Sequence, residues 1–188
     1  MKRWCVQSLT LRKATLADVP QIEALIARSA RALSADDYRP SQVEGALRGA
    51  FGIDTQLLAD QTYFLAEEDG RLVGCGGWSY RATLFGGDSR GGRDSSTLDP
   101  RSQAARIRAF FIDPGSARRG IGSLLLQTCE QEARAHGFST AELLASLPGA
   151  KLYAARGYSG AGMVHFDVGH GESIEFIPMR KTLGQEPV

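Results

Sequence analysis

The chain has 188 residues, of which 43% are hydrophobic and 23% are charged, which is enough for one soluble domain with a single core. A formal net charge of +1 gives no general reason to bind nucleic acid or an anionic membrane. No segment approaches the ~20 apolar residues of a membrane span, and no apolar signal segment follows the first five residues. Cys5, Cys75 and Cys129 lie far apart and indicate neither a disulfide framework nor a zinc site, so we expect no metal and a cytoplasmic location.

The N-terminal part of the chain predicts one strand followed by two helices. After a loose arm at residues 1–7, residues 9–14 alternate between apolar and polar types like an edge strand. The T-x-x-D sequence at 15–18 has the form of a capping box, and the helix that it opens is apolar on one side. A break at 34–40 precedes a second such box, S-x-x-E at 41–44, which we expect to begin the next helix.

A β-hairpin is predicted next. Residues 62–68 and 71–83 have the composition of strands, and Asp-Gly at 69–70 separates them. This dipeptide is the one best suited to a two-residue turn in which both residues take a positive φ. We therefore expect the two strands to pair directly.

Residues 86–103 predict a loop. They contain four glycines and almost no large apolar side chain, so we expect a mobile connection. A long loop of this kind is often functional, and its Arg90 and Arg93 would then close over a substrate. The alternative is a solvated loop without a role in binding.

The segment 106–137 predicts a strand, a tight loop and a helix. Residues 107–113 are apolar and aromatic, and Pro114-Gly115 ends them because this pair cannot extend a ladder. From Ile121 onward, apolar residues recur at helical spacing, and Gly137 can supply the left-handed stop. The rest of the chain is organised around this unit.

The loop between this strand and helix, GSARRGIG at 115–122, is suited to bind an anion. The first four backbone N–H groups of a helix have no partner inside the helix. Glycines at 120 and 122 would let a ligand approach the backbone, and Arg118 and Arg119 add positive charge to that of the helix dipole. We therefore predict a phosphate or pyrophosphate site at this loop.

Three kinds of phosphate loop share parts of this pattern. The nucleotide-triphosphate loop requires Lys and Ser or Thr where this chain has Ile121-Gly122, so that motif is not met. A dinucleotide fingerprint would need a third glycine at Leu125 and a second βαβ half, and both are missing. The remaining pattern, an apolar strand, a proline, basic residues and Gly-x-Gly opening a helix, resembles the acetyl-CoA-binding motif of the GNAT acyltransferase superfamily.

A second motif of that family lies downstream. The sequence A-x-x-Y-x-x-x-G-Y, formed by Ala150, Tyr153, Gly157 and Tyr158, resembles the family's tyrosine helix. The resemblance covers roughly residues 8–182 of the chain. The resemblance is specific because two motifs occur at the separation that the family shows.

The resemblance implies a mixed α/β (α+β) GNAT fold, with a central sheet of about seven strands and about four helices. It implies a single domain over residues 1–188, with a loose end at 184–188. The central strand and a parallel strand at 140–145 would splay apart at their C-terminal ends and leave a gap for a flat ligand. Two closing antiparallel strands at 158–168 and 173–183 would complete the sheet.

The resemblance further implies acetyl-CoA as the cofactor. Its pantetheine arm would bond like an additional strand to the backbone near Phe111 and Ile112, and its pyrophosphate would lie on the N–H groups of residues 117–123. The residues assigned to cofactor binding on this basis are Phe111, Ile112, Ala117, Arg118, Arg119, Gly120, Ile121, Gly122, Ser123 and Ala150. Two positions depart from the family pattern: Ala117 replaces the usual Gln or Arg, and Leu147 replaces a polar residue that is often Asn.

The same resemblance assigns the catalytic groups. Tyr153 would protonate the leaving thiolate as a general acid, and the alternative is a packed tyrosine with a satisfied hydroxyl. Backbone N–H groups near Phe110 and Phe111 would polarise the thioester carbonyl, because the family's central strand carries a bulge there.

The general base is harder to assign. A lysine-like amine of pKa ~10.4 is protonated at pH 7, and deprotonating it costs about 4.6 kcal/mol. Many members of the family carry a glutamate on the central strand, where this chain has Arg106 and Arg108. The carboxylates that could replace this glutamate, judged by their position alone, are Glu67, Glu68, Asp36 and Asp37. We expect water to relay the proton, unless the acceptor amine is itself less basic.

The acceptor site is predicted from aromatic and basic residues. The candidates are Trp78, Tyr80, Arg108 and Phe110. The aromatic residues would line a pocket, unless they belong to the core. Arg108, together with Arg81 and Arg106, would favour an acceptor with a carboxylate or phosphate, unless these side chains lie in solvent.

The motifs together predict an N-acetyltransferase that moves an acetyl group from acetyl-CoA to the primary amine of a small molecule by direct attack in a ternary complex. One alternative is a non-catalytic acyl-CoA sensor of the same fold, which the missing glutamate favours. Another is a nucleotide-binding protein. The identity of the acceptor stays open, as does a homodimer, because the closing strands could pair with a second subunit.

Overall fold

The structure, a computed structural model, describes residues 9–184 of the chain. The predicted loose ends at residues 1–7 and 184–188 lie outside the described residues, apart from Gly184. The strands are β1 (Leu9–Lys13), β2 (Tyr63–Glu68), β3 (Arg71–Ser79), β4 (Ala105–Ile112), β5 (Thr140–Ser146), β6 (Val164–Gly169) and β7 (Glu172–Thr182). The α-helices are α1 (Val19–Leu33), α2 (Pro40–Leu47), α3 (Thr55–Ala59), α4 (Ile121–Ala135) and α5 (Ala150–Ala155).

All the strands join one seven-stranded sheet in the order β1-β2-β3-β4-β5-β7-β6. Neighbouring strands are antiparallel, except that β4 and β5 run parallel. These two strands pair only where Ala105 faces Ala141 and Arg106 faces Glu142, and they diverge beyond that point. The predicted mixed fold and the predicted splay after the central strand are both confirmed.

The hairpin between β2 and β3 closes through a tight turn. Asp69 and Gly70 both take a positive φ, of 51° and 77°. This is the conformation that a two-residue primed turn requires, and it matches the twist of the flanking strands. The predicted hairpin is confirmed, although β3 ends at Ser79 rather than at residue 83.

Two apolar cores cover the two faces of the sheet. On one face α4 packs on the sheet, where Leu125 and Cys129 are fully buried. On the other face α1 and α2 pack on the sheet, and Leu25 and Cys75 are fully buried there. Burial raises the pKa of both thiols, that of Cys75 to about 12, so they stay protonated. Both cysteines therefore belong to the apolar cores.

The capping box before α1 is present. The backbone N–H of Thr15 donates to Oδ2 of Asp18 at 2.8 Å, and the turn that follows is a short 3₁₀ helix. The guanidinium of Arg12 lies 2.7 Å from the same carboxylate and, by hydrogen bonding to it, holds its pKa well below the usual range. This pair ties the start of α1 to β1.

The second helix begins two residues earlier than its predicted capping box requires, because the cap is formed by Arg39 and Gln42 instead of Ser41 and Glu44. The helix α2 begins at Pro40, whose missing N–H is no loss at the first helical position. The side chain of Gln42, rather than that of Ser41, completes the cap by accepting the N–H of Arg39 at 2.8 Å. The short helix α3 was not predicted.

The first closing strand begins later than predicted. Residues 158–163 do not join the sheet as a strand, and Ser159 makes only an isolated bridge to Arg180. The chain crosses β7 so closely here that a Cβ on Gly160 would overlap the carbonyl oxygen of Pro178. Regular pairing therefore starts only at Val164.

The loop at residues 86–103 lies against the body of the protein. Gly87 packs on the backbone of Gly52 with no room for a side chain, and Leu98 is buried in a core. Thr97 forms a β-bridge with Arg81. The mobility of this loop stays a prediction.

None of the helices among residues 9–184 is both long and apolar enough to cross a bilayer. Within the same residues, no group of three or more His, Cys, Asp and Glu side chains is placed to hold a metal ion. The site described below is therefore built from backbone groups, aromatic rings and a few polar side chains.

Candidate active site

The divergence of β4 and β5 opens a cavity of about 570 Å³. Its walls come from α1, β4, α4, β5, α5 and β7, together with the segments 50–52 and 84–86. This volume is in the range of small-molecule and cofactor sites. The predicted gap is thus large enough for a ligand.

One end of the cavity is the anion cradle, residues 117–123. Arg118 and Gly120 take positive φ values of 65° and 87°, so the chain turns sharply before α4 begins. A Cβ on Gly120 would point into open space, so it is the backbone conformation that requires glycine there. No side chain caps α4, which leaves the N–H groups of its first turn available at the cavity wall.

Gly122 also serves packing. A Cβ at this position would lie 3.0 Å from Cδ2 of Leu152, so the missing side chain lets α5 approach the first turn of α4. Gly122 lines the cavity as well, and its role in admitting a phosphate stays a prediction. The contact also fixes Tyr153, the residue after Leu152, beside the cradle.

The central strand carries a bulge in the middle of the cavity. Cys75 faces Phe111 and Gly77 faces Arg108, so Ala109 and Phe110 together oppose Gly76 alone. Ala109 takes a positive φ of 54°. The bulge that the family resemblance implied is therefore present.

Tyr63 holds this bulge in place. Its hydroxyl donates to the carbonyl oxygen of Ala109 at 2.8 Å and lies 3.2 Å from Sγ of Cys75. The residue is fully buried on β2, two strands away from the cavity in the sheet. Sequence reasoning missed it, because a tyrosine on a buried strand gives no signal that its hydroxyl supports a neighbouring strand.

Tyr153 lines the cavity from α5. Its ring is buried and meets Phe110 edge to face, with centroids 6.1 Å apart. Burial raises the pKa of the phenol above its usual value near 10, which keeps the proton on the oxygen. Tyr153 thus brings a protonated phenol to the lining that it shares with the cradle and the bulge.

A family comparison agrees with this geometry. The acetyltransferase (GNAT) family model matches residues 28–158, which include the bulge, the cradle and Tyr153. The chain belongs to the GNAT family. The recognition from two sequence motifs is confirmed. Among curated protein sequences, none matches the chain significantly.

Solved structures share the GNAT fold over nearly the whole chain. A GCN5-related N-acetyltransferase from Rhodopseudomonas palustris is 21% identical, with a TM-score of 0.67 over 95% of this chain and 98% of the other. The PaiA N-acetyltransferase from Thermoplasma acidophilum, in complex with coenzyme A, is 14% identical, with a TM-score of 0.62 over 93% and 99%. YncA from Salmonella typhimurium, with acetyl-CoA, is 17% identical, with a TM-score of 0.62 over 96% and 97%.

Most of the predicted cofactor residues of this GNAT protein meet in the cavity. Those that line it are Phe111, Ile112, Ala117, Arg118, Gly120, Ile121, Gly122 and Ser123. Ala150 does not line the cavity, because it packs on the core at the start of α5. Its neighbours Lys151 and Leu152 line the cavity instead.

Arg119 is the second exception. It turns away from the cavity and its guanidinium holds both oxygens of Glu68, at 2.6 and 2.9 Å. Glu68 is buried and, being held by Arg119, does not reach the cavity as a base. The positive charge beside the first turn of α4 is therefore that of Arg118.

The backbone of β4 has a partner from α1. The N–H of Ile112, which faces the gap, donates to Oγ of Ser29 at 3.1 Å. A ligand that bonds to this N–H would first displace Ser29. The backbone carbonyl groups of β4 are therefore more accessible than this N–H as hydrogen-bond partners for an extended ligand in the gap between β4 and β5.

None of the predicted substitutes for a base reaches the cavity. Among the residues that the structure describes, no Asp or Glu lines it. Glu67 pairs with Arg12 at 2.8 Å, and Asp36 and Asp37 are exposed outside the cavity. The relay of the proton by water stays a prediction.

Trp78 and Tyr80 lie outside the cavity, which corrects their assignment to the acceptor pocket. The side chain of Trp78 is fully buried and its Nε1 donates to Glu132 at 3.1 Å. Tyr80 stacks on His136, with centroids 6.3 Å apart. Both rings pack against the C-terminal half of α4, far from its first turn.

Arg108 lines the cavity but is already bonded. Its guanidinium donates to the carboxylate of Asp54 and to the carbonyl oxygens of Thr83 and Gly86, each at 2.8 Å. Burial lowers the pKa of this guanidinium, and the Asp54 carboxylate opposes that shift. Arg108 therefore fastens the segment 84–86 to the central strand, and the predicted pairing with an anionic acceptor is not supported.

The other arginines considered for the acceptor are paired in the same way. Arg81 pairs with Asp60 at 2.6 Å, and Arg106 pairs with Glu142. Arg93 pairs with Asp54 at 2.8 Å, and Arg90 lies 3.9 Å above the ring of Phe85. None of these four lines the main cavity.

Proposed function

We propose that this GNAT protein is an acetyl-CoA-dependent N-acetyltransferase that acetylates the primary amine of a small molecule by direct attack in a ternary complex. One observation carries the proposal: a single cavity joins an uncapped helix N-terminus, a bulged central strand and the protonated hydroxyl of Tyr153. The helix N-terminus would bind the cofactor, the bulged strand would polarise the thioester carbonyl, and the hydroxyl would protonate the leaving sulfur. The cavity is also open where β4 and β5 separate, so that two substrates can meet there.

The residues of the cradle fit the pyrophosphate of coenzyme A. The first-turn N–H groups of α4 and the charge of Arg118 would hold it, as helix N-termini hold phosphates in general. The pantetheine arm would extend between β4 and β5, past Ile112. PaiA and YncA, which share the fold, were crystallised with coenzyme A and acetyl-CoA.

The chain's own groups then favour the transfer. Acetyl-CoA supplies the acetyl group as a thioester. The backbone N–H of Phe110 polarises the carbonyl, whereas that of Phe111 is bonded to the Cys75 thiol, while the amine nitrogen forms the new C–N bond and the C–S bond breaks. Tyr153 gives its proton to the departing sulfur, and water removes the proton from the amine nitrogen.

A binding measurement tests the first half of the proposal. Acetyl-CoA at about 100 times its Kd should stabilise the fold by about 2.7 kcal/mol, which raises Tm by about 5–10 °C for a chain of this size. ATP and NAD at the same concentration should give no comparable shift. A shift with ATP or NAD but none with acetyl-CoA would favour the nucleotide-binding alternative and overturn the proposal.

A rate measurement tests the second half. Free thiol should be released from acetyl-CoA only when an amine is present, in proportion to the acetylated amine. A single cavity without a carboxylate also suits the sensor alternative, which predicts stabilisation by acetyl-CoA and no thiol release with any amine. Detection of the acetylated amine by mass spectrometry would exclude the sensor.

A further inference from the structure

The end of the cavity opposite the cradle is lined by phenylalanines. We call it the acceptor end and define it by Leu33, Phe51, Phe85, Phe111 and Phe176. The Phe51 ring meets those of Phe111 and Phe176 edge to face, with centroids 5.7 and 6.0 Å apart, and Phe85 lies 6.1 Å from Phe176. These rings form one continuous wall, although the residues come from five separate parts of the chain.

The charges of the cavity lie elsewhere or are already paired. Within residues 9–184, the charged side chains that line it are Arg108, Arg118 and Lys151. Arg118 belongs to the cradle, and Lys151 lies on α5, which packs on the first turn of α4. Arg108 is held by Asp54 at 2.8 Å. Arg90 lies 3.9 Å above the ring of Phe85 but does not line the cavity, so within the described lining the acceptor end offers no unpaired charge to a ligand.

This distribution disfavours acceptors that carry a charge. A cationic acceptor, such as a polyamine, would lose its hydration without meeting a carboxylate. An anionic acceptor would meet Arg108 only by breaking the ion pair with Asp54, which would leave a buried carboxylate without one of its partners. An uncharged aromatic body fits the wall through ring contacts of the kind that its residues already make.

The basicity of the amine gives a second restriction. An amine with the pKa of lysine, ~10.4, is neutral in only about one molecule in 2,500 at pH 7. The described cavity lining has no carboxylate to remove the proton. An amine bonded directly to an aromatic ring is much less basic, since its lone pair is delocalised into the ring, and it is therefore neutral at pH 7.

We propose that the acceptor is an uncharged aromatic amine whose nitrogen is bonded to the ring. This inference rests on the proposed acetyl transfer and names its substrate class. The wall of Phe51, Phe85, Phe111 and Phe176 binds the ring, and the neutral nitrogen attacks without a protein base. Tyr153 protonates the leaving sulfur as before.

A panel of acceptors at two pH values tests this proposal. Aniline, 2-phenylethylamine, spermidine and glutamate are compared by thiol release from acetyl-CoA at pH 7 and pH 9. At pH 7 aniline should exceed 2-phenylethylamine by at least about tenfold in kcat/KM, since only the former is neutral. Between pH 7 and 9 the rate with 2-phenylethylamine should rise about tenfold per unit while that with aniline stays flat. Higher kcat/KM for spermidine or glutamate would overturn the proposal.

A substitution that adds a negative charge to the acceptor end gives a second test. Leu33 is 38% exposed, so Leu33→Glu should fold while placing a carboxylate at the acceptor end. This variant should raise kcat/KM for spermidine up to about fivefold, as expected for an exposed ion pair, and lower it for aniline. Leu16→Glu, at a position that is 67% exposed and outside the cavity, is the matched control and should change neither value. Equal effects in both variants would contradict the assignment of the acceptor end.

The failure of this inference and that of the proposed function are distinguishable. If acetyl-CoA does not raise Tm, the proposed function itself is wrong. If acetyl-CoA raises Tm and another class of amine is acetylated, only the aromatic acceptor is overturned. If acetyl-CoA raises Tm and none of the four compounds is acetylated, the aromatic acceptor is overturned and the sensor alternative is favoured.

Discussion

The two ends of the cavity are lined by different chemical groups. The cradle at residues 117–123 presents backbone N–H groups, and its shape depends on positive φ values at Arg118 and Gly120. The acceptor end presents side chains, mostly phenylalanine rings, on a scaffold of other elements. Binding at the cradle should therefore depend on charge, and binding at the acceptor end on shape and apolar area.

The two ends also differ in how they are held. The cradle is fixed locally, because Asp113 accepts the N–H of Gly115 at 3.2 Å and α4 follows at once. The acceptor end depends on long-range links, such as Arg108 to Thr83 and Gly86. A single substitution in such a link should change the acceptor end without changing the cradle.

The largest effect is expected at Tyr153, which lies between the two ends. Tyr153→Phe removes the proton donor and keeps the ring against Phe110, so kcat should fall by about 10²–10³. The Tm shift with acetyl-CoA should be nearly unchanged, because the cradle is intact. Steady-state rates with a fixed amine and thermal unfolding with acetyl-CoA measure the two quantities. A kcat close to that of the wild type would remove the acid role.

The contrast between the two ends explains what the sequence could predict. The cradle is a contiguous stretch in which Pro114, Gly120 and the helix at Ile121 follow one another, so local rules were sufficient to find it. The hairpin turn at 69–70 was predicted for a similar reason, because its two residues are neighbours in the chain. The splay after β4 was expected only because the family resemblance implied it.

The acceptor end could not be predicted in this way. Phe51 and Phe176 are 125 positions apart in the sequence, and only the packing of the segment after α2 on β7 brings their rings together. Trp78 was a reasonable candidate by residue type, but the alternation of β3 turns it toward α4. The sequence around Arg108 did not indicate that Asp54 is its ion-pair partner, because the two residues are far apart in the chain and no motif connects them.

The next largest effect is expected at the link that holds the acceptor end. Arg108→Met leaves Asp54 buried with Arg93 as its remaining basic partner, which should cost about 3 kcal/mol and lower Tm by about 6–12 °C. The acceptor KM should rise because the hydrogen bonds to Thr83 and Gly86, at the two ends of the segment 83–86, are lost, while the Tm shift with acetyl-CoA should persist.

Arg93→Met is the matched control for this prediction. It removes the more exposed partner of Asp54 and leaves Arg108 in place, so the expected cost is only about 1 kcal/mol. Acceptor KM should stay near the wild-type value. Equal losses in the two variants would contradict the assignment of Arg108 as the link to the acceptor end.

A charge in the cradle should have an intermediate effect that is confined to the cofactor. Ala117→Glu places a carboxylate beside the site proposed for the pyrophosphate, and the repulsion should raise the acetyl-CoA Kd by about 10–100-fold. Ala117→Gln has the same shape without the charge, and we expect its Kd to stay within about threefold of the wild type. Isothermal titration measures both. Similar losses in the two variants would show that the position acts by volume, which would weaken the backbone-and-charge account of the cradle.

The smallest effect concerns Tyr38, which ties the walls of the cavity together. Its hydroxyl donates to the carbonyl of Glu175 on β7 at 2.6 Å and accepts the N–H of Leu147, just after β5, at 2.8 Å. Burial raises the pKa of this phenol from about 10 to about 12. The folded state thus keeps the proton when the unfolded chain loses it, so this stabilisation is complete below pH 10 and is lost as the pH rises toward 12.

Tyr38→Phe isolates this contribution from the other buried tyrosines. At pH 7 the variant should be less stable by about 1 kcal/mol, because two hydrogen bonds are lost. Between pH 9 and pH 11 the difference in unfolding free energy between wild type and variant should shrink by about 1 kcal/mol, a value reduced for solvent screening. Urea unfolding at the two pH values measures it. A difference that stays constant would mean that Tyr38 does not titrate in this range, and that the link between β5 and β7 is insensitive to its proton.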